Sequence, residues 1–224
     1  MRILIIGAGK VGSSVAGNLV SESNDITIVD TNKAKIAEIQ SNYDLQGIVG
    51  DATSPSVLAD AGAVDADMII AVTANDETNL AVTLIAEQLF NVPSRIARVR
   101  NDELREYPAL LSTSGFRATS VIWPEEAITN YIVQLITYPE ALQVIEFSDG
   151  DVVLMSVKIV SSSKMCGRPV SALQDELPRV KVQIVSIYRQ KYRLDDIDGK
   201  TVLEAGDEIF FLTTKACAHA VVKA

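Results

Sequence analysis

Ten residues near the amino terminus, Ile3-Leu-Ile-Ile-Gly-Ala-Gly-Lys-Val-Gly12, constrain this chain more than any other stretch. An apolar run leads straight into G-x-G-x-x-G, formed by Gly7, Gly9 and Gly12. A second apolar run, Asp25-Ile-Thr-Ile-Val-Asp30, then ends on an acid 23 positions after Gly7. Strand, glycine turn, helix, strand and acid, in that order, are the dinucleotide-binding fingerprint in its required context. Gly7 permits the tight turn, Gly9 lets the backbone approach a pyrophosphate, and Gly12 lets the helix pack close to the strand. Ala8, Lys10 and Val11 complete the turn. The helix start offers unpaired N–H groups and partial positive charge to phosphates. Asp30 accepts hydrogen bonds from ribose hydroxyls and repels a 2′-phosphate, which favours NAD over NADP.

The rest of the first half repeats the same grammar. Strands are expected over 2–6, 26–30, 45–49, 67–72, 95–99 and 118–122. Helices are expected over 10–22, 32–42, 55–61, 76–90 and 103–111. The strands are short and apolar on both faces, as in Met68-Ile-Ile-Ala-Val72, which a parallel sheet covered by helices requires. The fold class is α/β, a Rossmann-like doubly wound parallel sheet. Trp123-Pro124 opens a helix running to about Thr137, with Pro124 in its first turn. Its apolar stripe is wider than one domain needs, so it is expected to cross to a partner subunit. Beyond Pro139 the pattern changes to strands over 142–148, 152–160, 180–189 and 207–213, with a helix at 169–177 and a terminal helix that stops without a cap. This is a small α+β carboxyl-terminal subdomain. The expected division is 1–123, 124–139 and 140–224.

Composition narrows the function. The chain has 224 residues, 48% of them hydrophobic, enough for two domains with real cores, and a formal net charge of −9. That charge opposes a nucleic-acid partner and direct adsorption on an anionic membrane. No stretch approaches the roughly 18–20 apolar residues that span a bilayer, and the apolar amino terminus is too short for a signal peptide. A cytoplasmic protein is expected. Cys166 and Cys217 match no metal or redox spacing. The acidic run Asp195-Asp-Ile-Asp198-Gly199 fails as a calcium loop, because aligning Gly199 puts Leu194 first and Ala205 last, so it reads as a solvated turn.

Three further segments belong to the candidate site. Asp51 and Ala52 sit at the carboxyl end of the third strand, where open α/β sheets bind ligands; an Asx turn is the competing reading. Thr73 and Asn75, with Glu77 of the same Thr73–Asn79 motif, follow the fourth strand, where helix-start chemistry competes with ribose or phosphate contact. Arg98 and Arg100 lie on one side of the fifth strand's end and can clamp phosphate; salt bridges on a rim are the alternative. Catalytic equipment is missing. The one histidine, His219, lies near the terminus, and neither Tyr-x-x-x-Lys nor Gly-x-Ser-x-Gly occurs.

Together these motifs, with Asp65-Ala-Asp67, Tyr138-Pro-x-Ala-Leu142 and Leu203-Glu-Ala-Gly-Asp207, resemble the RCK (KTN) regulators, most nearly the regulatory subunits of bacterial Trk potassium uptake. The resemblance covers essentially the whole chain. It implies a cytoplasmic, homo-oligomeric gating ring that binds NAD(H), or ATP and ADP at the same site. The ring docks beneath a membrane-embedded potassium-transporting subunit, peripheral to the inner membrane. It also implies that the glycine turn, Asp30, Asp51, Arg98 and Arg100 line the nucleotide site. Trk subunits usually carry this unit twice in tandem and this chain carries it once, as an amino-terminal half or a single-unit relative. The rival readings are a small NAD-dependent oxidoreductase, which lacks a catalytic acid or base here, and a redox-sensing repressor, which the charge opposes.

Overall fold

The computed structural model describes residues 1–20, 24–112, 114–147, 150–178 and 180–223. The ends of the expected helix 10–22 and strand 142–148, and residue 224, lie outside this set. The chain divides into two compact units, Met1–Ile128 and Thr129–Ala224.

In the first unit, β1 (Arg2–Ile6), β2 (Asp25–Asp30), β3 (Gln46–Val49), β4 (Met68–Ala71), β5 (Ser94–Arg98) and β6 (Ser120–Ile122) form one sheet in the order β3-β2-β1-β4-β5-β6. Every pairing is parallel, from Ile3 beside Ile26 and Met68 to Ile96 beside Ser120. Both faces are covered, which is why β1 reads as an unbroken apolar run. Leu4 and Ile6 face a core with Leu58 and Val82, contributed by α3 (Pro55–Asp60) and α4 (Asp76–Phe90). Ile3 and Ile5 face the opposite core with Ala16, Ile36 and Ile39, from α1 (Lys10–Val20) and α2 (Lys33–Asn42). The order reverses between β1 and β4, creating the topological switch point at which such sheets hold ligands.

Local chemistry sets the helix ends. The Asn32 side chain accepts from the Ala34 and Lys35 N–H groups to start α2, and Asn75 accepts from Thr78 N–H to start α4. Asn91, left-handed at φ 53°, stops α4. The expected helix 103–111 is instead a 3₁₀ turn, Asp102–Glu106, followed by the short α5 (Pro108–Leu111). Pro108 has no N–H and excludes Tyr107 from the helical region, so Tyr107 sits at φ −122°, ψ 60° and the helix breaks there.

The second unit begins within α6 (Pro124–Thr137). It contains an antiparallel sheet of order β10-β9-β11-β8-β7, built from β7 (Ala141–Phe147), β8 (Val152–Lys158), β9 (Val182–Arg189), β10 (Tyr192–Arg193) and β11 (Glu208–Thr214). The two-residue β10 carries no sequence signal. Alternate residues Val153, Met155, Ile209 and Phe211 form its core with Ala172 of α7 (Ala172–Glu176) and Ala218 of α8 (Lys215–Val222). The helix expected over 169–177 is shortened because Pro169 bridges Val202 in extended conformation. Asp198 accepts from Lys200 N–H and from the Thr201 hydroxyl, making the acidic run a tight turn.

Candidate functional site

The carboxyl ends of β1, β2, β3, β4 and β5 surround one cavity of about 620 Å3 at the switch point. Gly7, Gly9, Lys10 and Val11 form one wall, Asp30, Asp51 and Ala52 a second, and Thr73, Asn75, Arg98 and Arg100 a third. Three expected site residues do not line it. Ala8 and Gly12 lie behind the turn, and Glu77 stands exposed on the first turn of α4.

The glycines behave differently from one another. Gly7 adopts φ +106°, and a Cβ there would stand 3.1 Å from Thr73 Cα, so the turn after β1 lies directly on the turn after β4. A Cβ on Gly12 would meet the Gly7 carbonyl oxygen at 1.8 Å. A Cβ on Gly9 would meet nothing within 4 Å, which leaves its face open toward the cavity. The turn therefore needs Gly7 and Gly12 for its own geometry, while Gly9 keeps space for something else.

Asp30 is held in place from both sides. Its Oδ2 accepts from Ala8 N–H at 2.8 Å and its Oδ1 from Asn32 N–H at 2.8 Å. A carboxylate has about four acceptor sites, so capacity remains for a ligand's hydroxyl groups. Lys35, which sequence reasoning did not mark, lines the same wall with Nζ 3.9 Å from Asp30 Oδ2. It stands one turn into α2, and helical side chains lean back toward the amino terminus, which is the signal that would have found it. Asp51 makes the Asx turn that competed with the site reading. Its Oδ1 accepts from Thr53 N–H at 2.9 Å and from the Thr53 hydroxyl at 2.8 Å. Those bonds, the backbone one foremost, hold its carboxyl below the ordinary range. Its Oδ2 makes no bond among the described residues. Asn75 is committed to capping α4.

Apart from Lys35, the cations lining the site have no ion-pair partner among the described residues. Arg95, buried on β5, is satisfied by the fold: its guanidinium donates to the carbonyls of Arg117, Val92 and Pro93. Arg98, three residues on, has a buried Nε with no acceptor among the described residues. Lys10, Arg98 and Arg100 form none of the ion pairs found among them. A rim salt bridge is therefore not what Arg98 and Arg100 make. Three free cations facing a helix start, with an orphaned guanidinium N–H and an acid at the second strand's end, fit an anionic group carrying ribose hydroxyls. The chemistry fits a nucleotide: Lys10, Arg98 and Arg100 could take phosphates and Asp30 a ribose.

A cavity of similar size, about 590 Å3, lies in the second unit between β8, β11 and α8. Its walls are mainly apolar, including Ile159, Met165 and Phe211, with Lys158, Lys164 and Lys223 also on the lining and, among the described residues, no glycine turn or strand-end acid opposite them. Among the described residues no cluster of His, Cys, Asp or Glu is placed to hold a metal ion, and no helix is long and apolar enough to cross a membrane.

Comparison with known proteins gives one consistent result. The TrkA-N domain model matches residues 3–124 and the TrkA-C domain model residues 154–224. The Trk system potassium uptake protein TrkA of Vibrio alginolyticus is 45% identical over 213 residues, covering 95% of this chain and 46% of that protein. A TrkA homologue of Methanothermobacter thermautotrophicus is 31% identical over 188 residues, covering 84% of this chain and 82% of its own length. The chain thus spans about half the length of the Vibrio protein and most of the archaeal one. Among solved structures, the GsuK channel bound to NAD superposes with a TM-score of 0.64 over 100% of this chain and 39% of that one, at 18% identity. A Rossmann sheet of order 3-2-1-4-5-6, followed by a small antiparallel subdomain and matched over residues 3–124 and 154–224 by these models, belongs to a chain of the TrkA family.

Proposed function

We propose that this chain is a nucleotide-sensing regulatory unit of potassium uptake, which binds NAD(H), or ATP and ADP in competition, at the switch-point cavity. The observation that carries the reading is the unpaired cation set, Lys10, Arg98 with its orphaned Nε, and Arg100, gathered around a glycine turn and opposed by Asp30. The names of the relatives, potassium uptake proteins, and of an RCK channel solved with NAD support it. Lys10 and the amino terminus of α1 would take the pyrophosphate, Asp30 the ribose, and Asp51 and Ala52 the adenosine side. Thr73 closes the cavity over Gly7. A bound dinucleotide supplies negative charge and ribose hydroxyls to these groups.

The unit holds its ligand without transforming it. Among the described residues no histidine, cysteine or tyrosine lines the cavity, and His219 belongs to α8 of the other unit. Regulation follows from differential affinity: a nucleotide shifts a gating equilibrium only as far as it binds one state better, typically by about 1–3 kcal/mol. The additional phosphate of ATP over ADP, read by Arg98 or Arg100, supplies such a difference. The division at 1–123, 124–139 and 140–224 assigns α6 the task of passing that difference to a neighbouring copy in a cytoplasmic ring beneath a membrane potassium-transporting partner. None of the residues of α6 is buried, and Tyr131 and Ile136 are 62% and 74% exposed, which suits a helix covered only on assembly. Calorimetric titration with NADH, ATP and ADP tests the reading. Wild type is expected to bind each saturably, and Arg98→Ala to weaken all three by about tenfold, as loss of a charge-assisted contact would. Unchanged affinity in Arg98→Ala would remove the cation set from the site.

A further inference from the structure

The cavity's arginines stand on a segment held from below by two side chains of α4 that do not line it. Asn79 is 0% exposed and uses its full hydrogen-bonding capacity. Its Oδ1 accepts from Thr73 N–H at 2.9 Å and from the Thr73 hydroxyl at 2.7 Å. Its Nδ2 donates to the Arg98 carbonyl at 2.9 Å and the Thr73 carbonyl at 3.3 Å. Three residues earlier, Asp76 Oδ2 accepts from both Arg100 N–H and Asn101 N–H at 2.8 Å. The two residues thus tie the backbone of Arg98–Asn101 to the Thr73 turn, and Thr73 in turn rests on Gly7. The phosphate turn and the arginines opposite it share one rigid frame, although they come from the first and fifth strands.

We infer that Asp76 and Asn79 are positioning residues for phosphate recognition: they fix where Arg98 and Arg100 stand relative to the glycine turn, without touching the nucleotide. The inference rests on the nucleotide reading above and deepens it. It makes a prediction that simple electrostatics opposes. Asp76 is an acid beside the phosphate-reading segment, so by charge alone its removal would tighten the binding of an anion. If its role is to place Arg100, removal weakens anion binding instead, and weakens it more as the phosphate count rises.

The experiment titrates the full chain with adenosine, ADP and ATP, with folding followed by circular dichroism and thermal midpoint. Asp76→Ala is expected to leave adenosine affinity within about twofold and to weaken ATP about tenfold. Asp76→Asn, which keeps an acceptor for the two N–H groups, is expected to recover most of that loss. Arg100→Ala and Asp76→Ala combined are expected to cost less than the sum of the two, as coupled groups do. Asn79→Ala orphans a buried N–H and a carbonyl and risks unfolding, so the test does not depend on it. Tighter ATP binding in Asp76→Ala, equal weakening of adenosine and ATP, or full additivity with Arg100→Ala would each overturn the positioning role while leaving nucleotide binding in place. Wild type that binds no nucleotide would overturn both.

Discussion

A single methyl group separates the two jobs of the glycine turn. On Gly12 it would sit 1.8 Å from the Gly7 carbonyl, both of them backbone, so Gly12→Ala has no side chain that can yield. It is expected to destabilise the first unit by about 3 kcal/mol or more, read as a lowered denaturation midpoint. On Gly9 the same methyl meets open space, so Gly9→Ala is expected to keep the stability of wild type within about 0.5 kcal/mol. Because it fills the face where a pyrophosphate would approach, it is expected to weaken nucleotide binding by at least about tenfold in calorimetry. Strong binding by Gly9→Ala would place the phosphates elsewhere. At this scale the sequence was informative wherever chemistry is local. Glycine spacing, the acid closing β2 and the arginines ending β5 all follow from a few neighbouring residues. Lys35, and the frame built by Asp76 and Asn79, did not emerge. Lys35 pairs only five positions back, with Asp30, but the frame's partners lie across the fold, 24 positions away for Asp76 with Arg100 and 19 for Asn79 with Arg98, and no local pattern reports such pairs.

Among the elements, β11 of the second unit is anchored by Arg189, which pairs with Asp207 and with the exposed Glu204. Asp207, 1% exposed, accepts from Arg189 Nε at 2.9 Å and from its Nη2 at 2.8 Å, and from Glu204 N–H at 2.8 Å. The bonds join the end of β9 to the turn that starts β11. Burial pushes the Asp207 carboxyl up, but the Arg189 and Glu204 hydrogen bonds and the guanidinium charge together hold it below the ordinary range. A carboxyl depressed in the folded state contributes stability above its unfolded value, about 3.9, and loses it as pH falls toward the folded value. Asp207→Asn is therefore expected to cost about 2 kcal/mol at neutral pH, because Arg189 loses its buried ionised partner and keeps only the exposed Glu204. It is also expected to flatten the stability profile below about pH 4, where wild type still falls. A variant with an unchanged acid limb in denaturant melts would contradict this. The elements themselves were mostly legible, since parallel strands buried on both faces and alternating antiparallel strands leave distinct periodicities. The exceptions have physical reasons. Pro108 breaks an otherwise helical pattern, Pro169 pairs as extended chain where a helix was expected, and β10 is too short to show a period.

For the whole molecule, each unit has its own core, and the switch-point cavity lies entirely within the first. A nucleotide present at about 100 times its Kd should stabilise that unit by about 2.7 kcal/mol and leave the second unit's transition in place. Under the proposed function the exposed apolar residues of α6 are covered by a neighbouring copy. Ile132→Glu with Ile136→Glu is expected to reduce the mass measured by light scattering while nucleotide affinity is retained; an unchanged mass would assign the ring contacts to another surface. The central claim, that the chain senses a nucleotide without consuming it, is tested most directly by titrating the purified protein with NADH. Binding and nicotinamide absorbance are followed together for hours, with electron acceptors present. The account predicts saturable binding, displacement by ATP and no loss of absorbance. Steady oxidation of NADH, or no saturable binding, would contradict it.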